Sequence, residues 1–120
     1  MEPLNIPLRV VFYREDGDIV AHCLEFDLVG CGSDHEEAMD CLVEAIACQV
    51  DATLESGNID NLFSPAPGEY FRMFAAGKSE QGVGKGIGRL QIHRQDVNIP
   101  NVDARDYVDS DAHNGDLALA

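Results

Sequence analysis

Histidine and cysteine, the side chains that bind zinc most often, occur close together near the amino terminus at His22, Cys23, Cys31 and His35. Their spacing argues against a metal site. His22 and Cys23 are neighbours on a predicted strand and therefore point to opposite faces, whereas zinc ligands usually come in pairs about two to four residues apart. We predict no metal site and no cofactor.

Cys31 and His35 also suggest a catalytic pair. A helix start after Ser33 could favour a nearby thiolate, with His35 as its base. The simpler interpretation is that Cys31, which stands between two glycines, belongs to a tight turn. We assign no catalytic residue here.

A group of carboxylates offers a second catalytic possibility, a nuclease that uses two metal ions. The candidates are Asp16, Asp18, Glu25 and Asp27. Asp16 and Asp18, however, belong to a predicted turn. The net charge of −14 also leaves the chain without the basic groove that would hold a nucleic-acid substrate. We therefore predict that the protein is not an enzyme.

The glycine-rich run from Gly82 to Gly88 has the look of a phosphate-binding loop. Such loops need Gly-Lys followed by Ser or Thr at a helix start, and here Lys85 is followed by Gly86. The run is better interpreted as a flexible connector.

The balance of 22 acidic to 8 basic residues would repel phosphate backbones and anionic lipid surfaces. It would also speed encounter with a basic protein. No apolar run approaches the roughly 20 residues of a membrane span, and Met1 to Pro7 contains no export signal. We expect a cytoplasmic protein, with its four cysteines reduced and buried, that binds neither nucleic acid nor membrane.

Roughly the first 30 residues have sequence patterns typical of strands and a turn. Leu8 to Arg14 and Ile19 to Phe26 alternate in hydrophobicity, and Asp16-Gly17 between them is a typical hairpin turn. Leu28-Val29 indicates a short third strand. The sequence therefore predicts an α+β fold: a small antiparallel sheet of three to four strands in the order ββ(β)αβ, with one long helix packed on it and a short second helix.

The long helix is predicted to run from Asp34 to Glu55. Ser33 and Glu36 have the spacing of a capping box, and Gly57 stands where a left-handed cap residue belongs. An apolar stripe at helical spacing is expected to face the sheet: Met39, Leu42, Val43, Ile46, Val50 and Leu54. Beside it runs a flank of small residues that could pack on another subunit or on a later segment of the chain: Ala38, Cys41, Ala45, Cys48 and Ala52.

A narrow polar strip remains on this helix, and the helix contains no Lys or Arg to neutralise it. We predict that the strip binds a basic partner and that the small-residue flank favours a homo-oligomer. The partner-binding candidates are Asp40, Glu44, Asp51 and Glu55.

The second half of the chain carries weaker signals. A short helix is predicted from about Pro67 to Gly77, with a strand as the alternative for this segment. An edge strand is predicted over residues 88–95. We expect one domain over residues 1–97, with its core at 8–57 and an accessory segment at 58–97. Residues 98–120 are expected to form an acidic, mobile tail.

The order of these features resembles the amino-terminal domain of the HicB-like antitoxin family. The resemblance covers about half the chain. It implies a partial RNase-H-like domain and a small basic HicA-like toxin, an mRNA-cleaving protein, as partner. Many family members add a DNA-binding helix-turn-helix or ribbon-helix-helix, but residues 58–120 show neither pattern. The residues that carry the resemblance are Asp16, Gly17, Gly32, Ser33, Glu36, Ala38 and Ala45.

Three functions remain open at this point. The first is an antitoxin-type protein that masks a basic ribonuclease. The second is a stand-alone homo-oligomeric domain with the small-residue flank buried between subunits. The third is the metal-dependent nuclease, which the net negative charge disfavours because it would repel a nucleic-acid substrate.

Overall fold

The computed structural model describes residues 4–5, 7–79, 97–98 and 102–108. Five of its strands form one sheet, in the order β4-β3-β2-β7-β5, and β1 pairs with β6 separately. The elements are β1 (Leu4–Asn5), β2 (Leu8–Glu15), β3 (Asp18–Cys23), β4 (Leu28–Gly32), α1 (His35–Ser56), a 3₁₀ turn (Ile59–Leu62), α2 (Gly68–Ala76), β5 (Lys78–Ser79), β6 (Val97–Asn98) and β7 (Val102–Asp106).

The hairpin between β2 and β3 confirms the predicted turn. Asp16 and Gly17 have φ angles of 54° and 86°, as a tight two-residue turn requires, and they set Glu15 opposite Asp18. β3 ends at Cys23, before the predicted end at Phe26, because residues 24–27 turn back toward β4. Asp27 closes this turn with a φ of 55°.

The α+β class is confirmed, but the expectation of an antiparallel sheet of three to four strands is wrong. The sheet has five strands and is mixed, because β7 runs parallel to β2 with Leu8 opposite Val102. Val102–Asp106 thus belongs to the folded domain and not to a mobile tail from residue 98. A parallel pair needs a long connection, which the intervening helices supply. The strand predicted over residues 88–95 lies outside the described residues.

The start of α1 corrects the predicted capping box by one residue. The amino-terminal cap is Asp34, whose carboxylate accepts from the Glu37 amide at 2.8 Å. The Ser33 amide and hydroxyl both donate to Glu37 Oε1, at 2.6 and 3.0 Å, so Glu36 is not the reciprocal partner of Ser33. At the other end Gly57 has the predicted left-handed conformation, with a φ of 75°.

One face of the sheet is covered by α1, which lies mainly over β4 and β3. The apolar stripe of the helix is buried there, as predicted, with Leu42 and Ile46 fully inaccessible. Gly30 and Gly32 allow this contact, since a Cβ at Gly30 would lie 2.2 Å from the Leu42 amide nitrogen. Ala38 is fully buried, whereas Ala45 is only half-buried.

The opposite face of the sheet carries α2, which confirms the helix predicted between Pro67 and Gly77. A second, smaller apolar cluster forms between this helix and β2, around Val11, Leu24 and Phe74. Successive side chains of β2 point to opposite faces of the sheet and therefore belong to two cores. Val10 and Phe12 pack under α1, and Val11 and Tyr13 pack under α2.

Candidate functional site

The predicted acidic strip lies on the outer face of α1. Asp40, Glu44 and Glu55 are exposed and Asp51 is half-buried. The structure thus presents Asp40 and Glu44 one helical turn apart on a common surface. The described arginines that form ion pairs do so with acids outside α1. These pairs are Arg9 with Glu25, Arg14 with Asp106, and Arg105 with Asp103.

Ala38, the first residue of the predicted small-residue flank, is buried in the core. The other four residues lie beside the acidic strip and are the small-residue flank of α1 in the structure: Cys41, Ala45, Cys48 and Ala52. All but the half-buried Ala45 are exposed. The expectation that the cysteines are buried is therefore wrong for three of them: only Cys23 is buried, while Cys31, Cys41 and Cys48 are exposed and all are unpaired thiols. Within the described ranges, nothing covers this flank.

The suggested zinc ligands do not converge. Cys23 packs in the core under α1, while the ring of its neighbour His22 lies on the α2 face against Tyr70. Gly30 and Gly32 face α1, so Cys31 between them faces away from it, whereas His35 contacts Phe12 on the α1 face. In the part of the chain that the structure describes, no three potential metal ligands cluster.

The proposed carboxylate cluster is also split. Asp16 and Asp18 lie at one end of β3, and Glu25 and Asp27 follow its other end, roughly 17 Å away along the strand. The latter two are engaged, since Glu25 accepts from Arg9 Nε at 2.7 Å and Asp27 pairs with His22. The four acids are therefore not arranged to share metal ions.

A polar network that the sequence did not suggest is centred on His22, whose side chain is 5% exposed. Its Nδ1 lies 2.9 Å from the Tyr13 hydroxyl, and its Nε2 lies 2.7 Å from Oδ1 of Asp27. Tyr70 of α2 packs on the imidazole with ring centroids 4.3 Å apart. The network thereby joins the hairpin, the turn at residues 24–27 and α2.

This network is a set of hydrogen bonds that stabilises the fold. With a neutral imidazole, both contacts are satisfied when Nε2 donates to the Asp27 carboxylate and Nδ1 accepts from the Tyr13 hydroxyl. Burial raises the pKa of Tyr13 well above its usual value, and Tyr70 and Glu15 raise it further. The phenol therefore stays protonated and serves as a donor, not as a base.

A sequence signal for this network did exist. The turn at Asp16-Gly17 fixes the register of the hairpin, which sets Val11 opposite His22 and Tyr13 opposite Val20. His22 and Tyr13 are consequently diagonal neighbours on one face, within reach for long side chains. The hairpin register alone therefore predicts that Tyr13 and His22 lie close together.

A second charged group lies near the start of α1. Arg14 donates to Oδ1 of Asp106 at 2.6 Å, and His35 Nε2 lies 3.2 Å from the same oxygen. Partial burial acts to raise the pKa of Asp106, but Arg14 and His35 outweigh it and leave that pKa below its ordinary value. The group ties β2, β7 and α1 together.

This arrangement predicts a pH dependence of stability. Because the pKa of Asp106 is lowered in the folded state, its carboxylate stabilises the fold above the ordinary pKa, and the contribution is lost as the pH falls. We expect the difference in free energy of unfolding between the native protein and Asp106→Asn to be greatest near neutral pH and to shrink as the pH falls below about 5. Urea titrations across this range measure it.

Arg14→Gln provides the companion variant, since it removes the guanidinium that donates to Asp106 and leaves the carboxylate in place. It should lose the larger part of the same pH-dependent component. A stability difference that is equal at neutral and acidic pH would show that the Asp106 pair contributes nothing through its charge.

No family model, curated protein or solved structure matches this chain. None of the described helices is long and apolar enough to cross a membrane.

Proposed function

We propose that this chain is a HicB-like, antitoxin-type protein that binds a small basic mRNA-cleaving toxin and masks its active surface. The observation that carries the proposal is the outer face of α1, where Asp40 and Glu44 are exposed on a helix that contains no Lys or Arg. A basic protein that competes for RNA presents the complementary surface.

The order of elements supports the same proposal. A strand, an Asp-Gly turn, a second strand, a short strand ending at Gly32 and a capped helix follow one another in the sequence on which the family resemblance rests. Gly30, Gly32 and the buried Ala38 let α1 lie directly on β4, which is compatible with the close helix-on-sheet contact that the resemblance implies for Ala38.

The net charge of −14 adds long-range attraction for a basic partner. At the contact itself, the exposed carboxylates of Asp40 and Glu44 can pair with Lys or Arg of the toxin. The expected interface is therefore rich in charge, and its association rate should fall steeply with salt.

Co-expression with the product of any small basic reading frame adjacent to this gene tests the proposal. We expect a purified complex, and relief of the growth arrest that the basic protein causes alone. The double variant Asp40→Lys, Glu44→Lys should weaken binding at least tenfold. Glu15→Lys, at the exposed end of β2, is the charge-changing control and should weaken it far less.

Absence of a complex, or growth arrest that persists when the complex forms, would contradict the antitoxin proposal. If the double variant still binds the basic protein as tightly as the native chain, toxin binding would be supported, but its interface would lie on a surface other than the outer face of α1. The two results differ in co-purification, so they are distinguishable in one experiment.

Self-association is a second candidate property, and the exposed small-residue flank of α1 favours it. Three of its four residues are exposed although none carries charge. Light scattering on the isolated chain tests it: we expect a mass above that of the 13.1 kDa monomer.

A further inference from the structure

Among the described residues, one edge of the sheet has no neighbouring strand. Among the described strands β4 pairs with β3 alone, so it forms an edge five residues long. In an antiparallel pair, every second residue of an edge strand directs its N–H and C=O away from its partner. β4 therefore presents backbone groups that can pair with another strand.

Edge strands are usually protected by charge, proline or shortness. β5, at the other edge, has such protection because it is two residues long and contains Lys78. β4 has none: its sequence is Leu-Val-Gly-Cys-Gly, Val29 is 46% exposed and Cys31 is exposed.

The small-residue flank of α1 lies along this same edge. A Cβ at Gly30 would meet the backbone of Ala38, Cys41 and Leu42, so this turn of α1 rests on β4. The rest of the buried stripe extends over β3 and β2. The small-residue flank lies on the side of the helix that is turned away from β3 and β2. It is therefore above the open edge formed by β4.

We propose that two copies of this chain associate side by side through antiparallel pairing of their β4 strands, with the small-residue flanks of their α1 helices packed together. This proposal rests on the self-association proposed above and names its interface. The two sheets would then form one continuous sheet of ten strands, twice the five of each copy.

The geometry of strands and helices fits this arrangement. Since α1 lies over β4 and β3, the two α1 helices would be separated by about two strand spacings, roughly 10 Å. Packed helices are typically about 8–10 Å apart, with small side chains at the closer limit. Alanine and cysteine at the contact therefore suit the spacing that strand pairing imposes.

The charge distribution favours a second copy over a basic protein as the occupant. A two-fold axis places like residues opposite one another, so a strongly acidic chain can pair with itself only where its surface is uncharged. Neither β4 nor the small-residue flank contains a charged residue. A basic partner would be drawn to Asp40 and Glu44 instead.

Light scattering on the full chain over a range of concentrations is the first test. We expect a dimer, and a dissociation constant raised at least tenfold by Val29→Lys, which places a charge on the open edge. Val108→Lys is the matched control because Val108 is 57% exposed elsewhere, and it should leave the dimer intact. Circular dichroism checks that both variants are folded.

A monomer at every concentration would contradict self-association itself. A dimer that Val29→Lys leaves unchanged would support self-association but overturn β4 as its interface. The proposal for toxin binding is tested by co-purification, so neither result bears on it.

Thiol cross-linking with a short bis-maleimide locates the interface more closely. With the two-fold axis near Gly30, the antiparallel helices meet at Cys41, which lies above that glycine. Cys48 is seven residues further on, so the two Cys48 thiols would be roughly 20 Å apart along the helix axes.

Two variants make the comparison, each with one exposed cysteine in addition to the buried Cys23. One carries Cys31→Ser and Cys48→Ser and keeps Cys41; the other carries Cys31→Ser and Cys41→Ser and keeps Cys48. We expect efficient cross-linking only in the first. Equal or reversed yields would overturn the antiparallel arrangement about β4.

Discussion

Gly30→Ala is expected to lower the free energy of unfolding by about 3 kcal/mol, a shift in Tm on the order of 10 °C. A Cβ at this position would lie 2.2 Å from the Leu42 nitrogen, 2.6 Å from the Ala38 oxygen and 2.8 Å from the Cys41 carbonyl carbon. These are backbone atoms of one helix, so no side-chain rotation can relieve the overlap. The whole of α1 must move away from β4.

Gly68→Ala is the matched control. A Cβ there approaches only Arg72 Nη1, at 3.8 Å, and Gly68 begins α2, where alanine has the higher helix propensity. Its stability should be unchanged or slightly increased. Thermal unfolding of both variants is the measurement, and a Gly30→Ala protein that melts with the native one would show that α1 does not lie so closely on β4.

The elements that sequence analysis predicted well are those specified by local chemistry. Asp16-Gly17 adopts the positive φ angles of a hairpin turn, and Gly57 ends α1 in the left-handed conformation. Each signal depends on the backbone preferences of one or two adjacent residues. The α2 helix was recognisable for the same reason, with Pro67 before it and Gly77 after it.

The position of β7 was missed because it depends on contacts distant in sequence. Val102–Asp106 is short and carries Asp103, Arg105 and Asp106, so its composition resembles that of a polar tail. Only pairing with β2 buries Ala104 and gives Asp106 the partners Arg14 and His35. Such a strand becomes favourable only when the sheet is already in place.

The shifted cap at the start of α1 has a different cause. Ser33 with Glu36, and Asp34 with Glu37, are two overlapping pairs of equal spacing, and each fits the capping pattern. The helix uses the second pair, with Asp34 in the extended conformation of a cap residue. Sequence spacing alone does not separate the two alternatives.

His22→Ala carries the other large expected effect, a loss of about 3 kcal/mol in the free energy of unfolding. The substitution removes a buried ring that packs on Tyr70 and leaves a cavity between β3 and α2. It also removes the hydrogen-bonding partner of the Tyr13 hydroxyl and of Asp27. Urea unfolding followed by circular dichroism measures the loss.

Variants at Asp27 separate the hydrogen bond from the packing of the ring. Asp27→Asn keeps an oxygen that can accept from His22 Nε2 and tolerates the φ of 55°, so it should cost less than about 1 kcal/mol. Asp27→Ala loses the acceptor and places an alanine in the left-handed region, and it should cost about 2 kcal/mol. Equal losses for the two would indicate that the network does not hold the turn at residues 24–27. The ring of His22 would then stabilise the fold by packing alone.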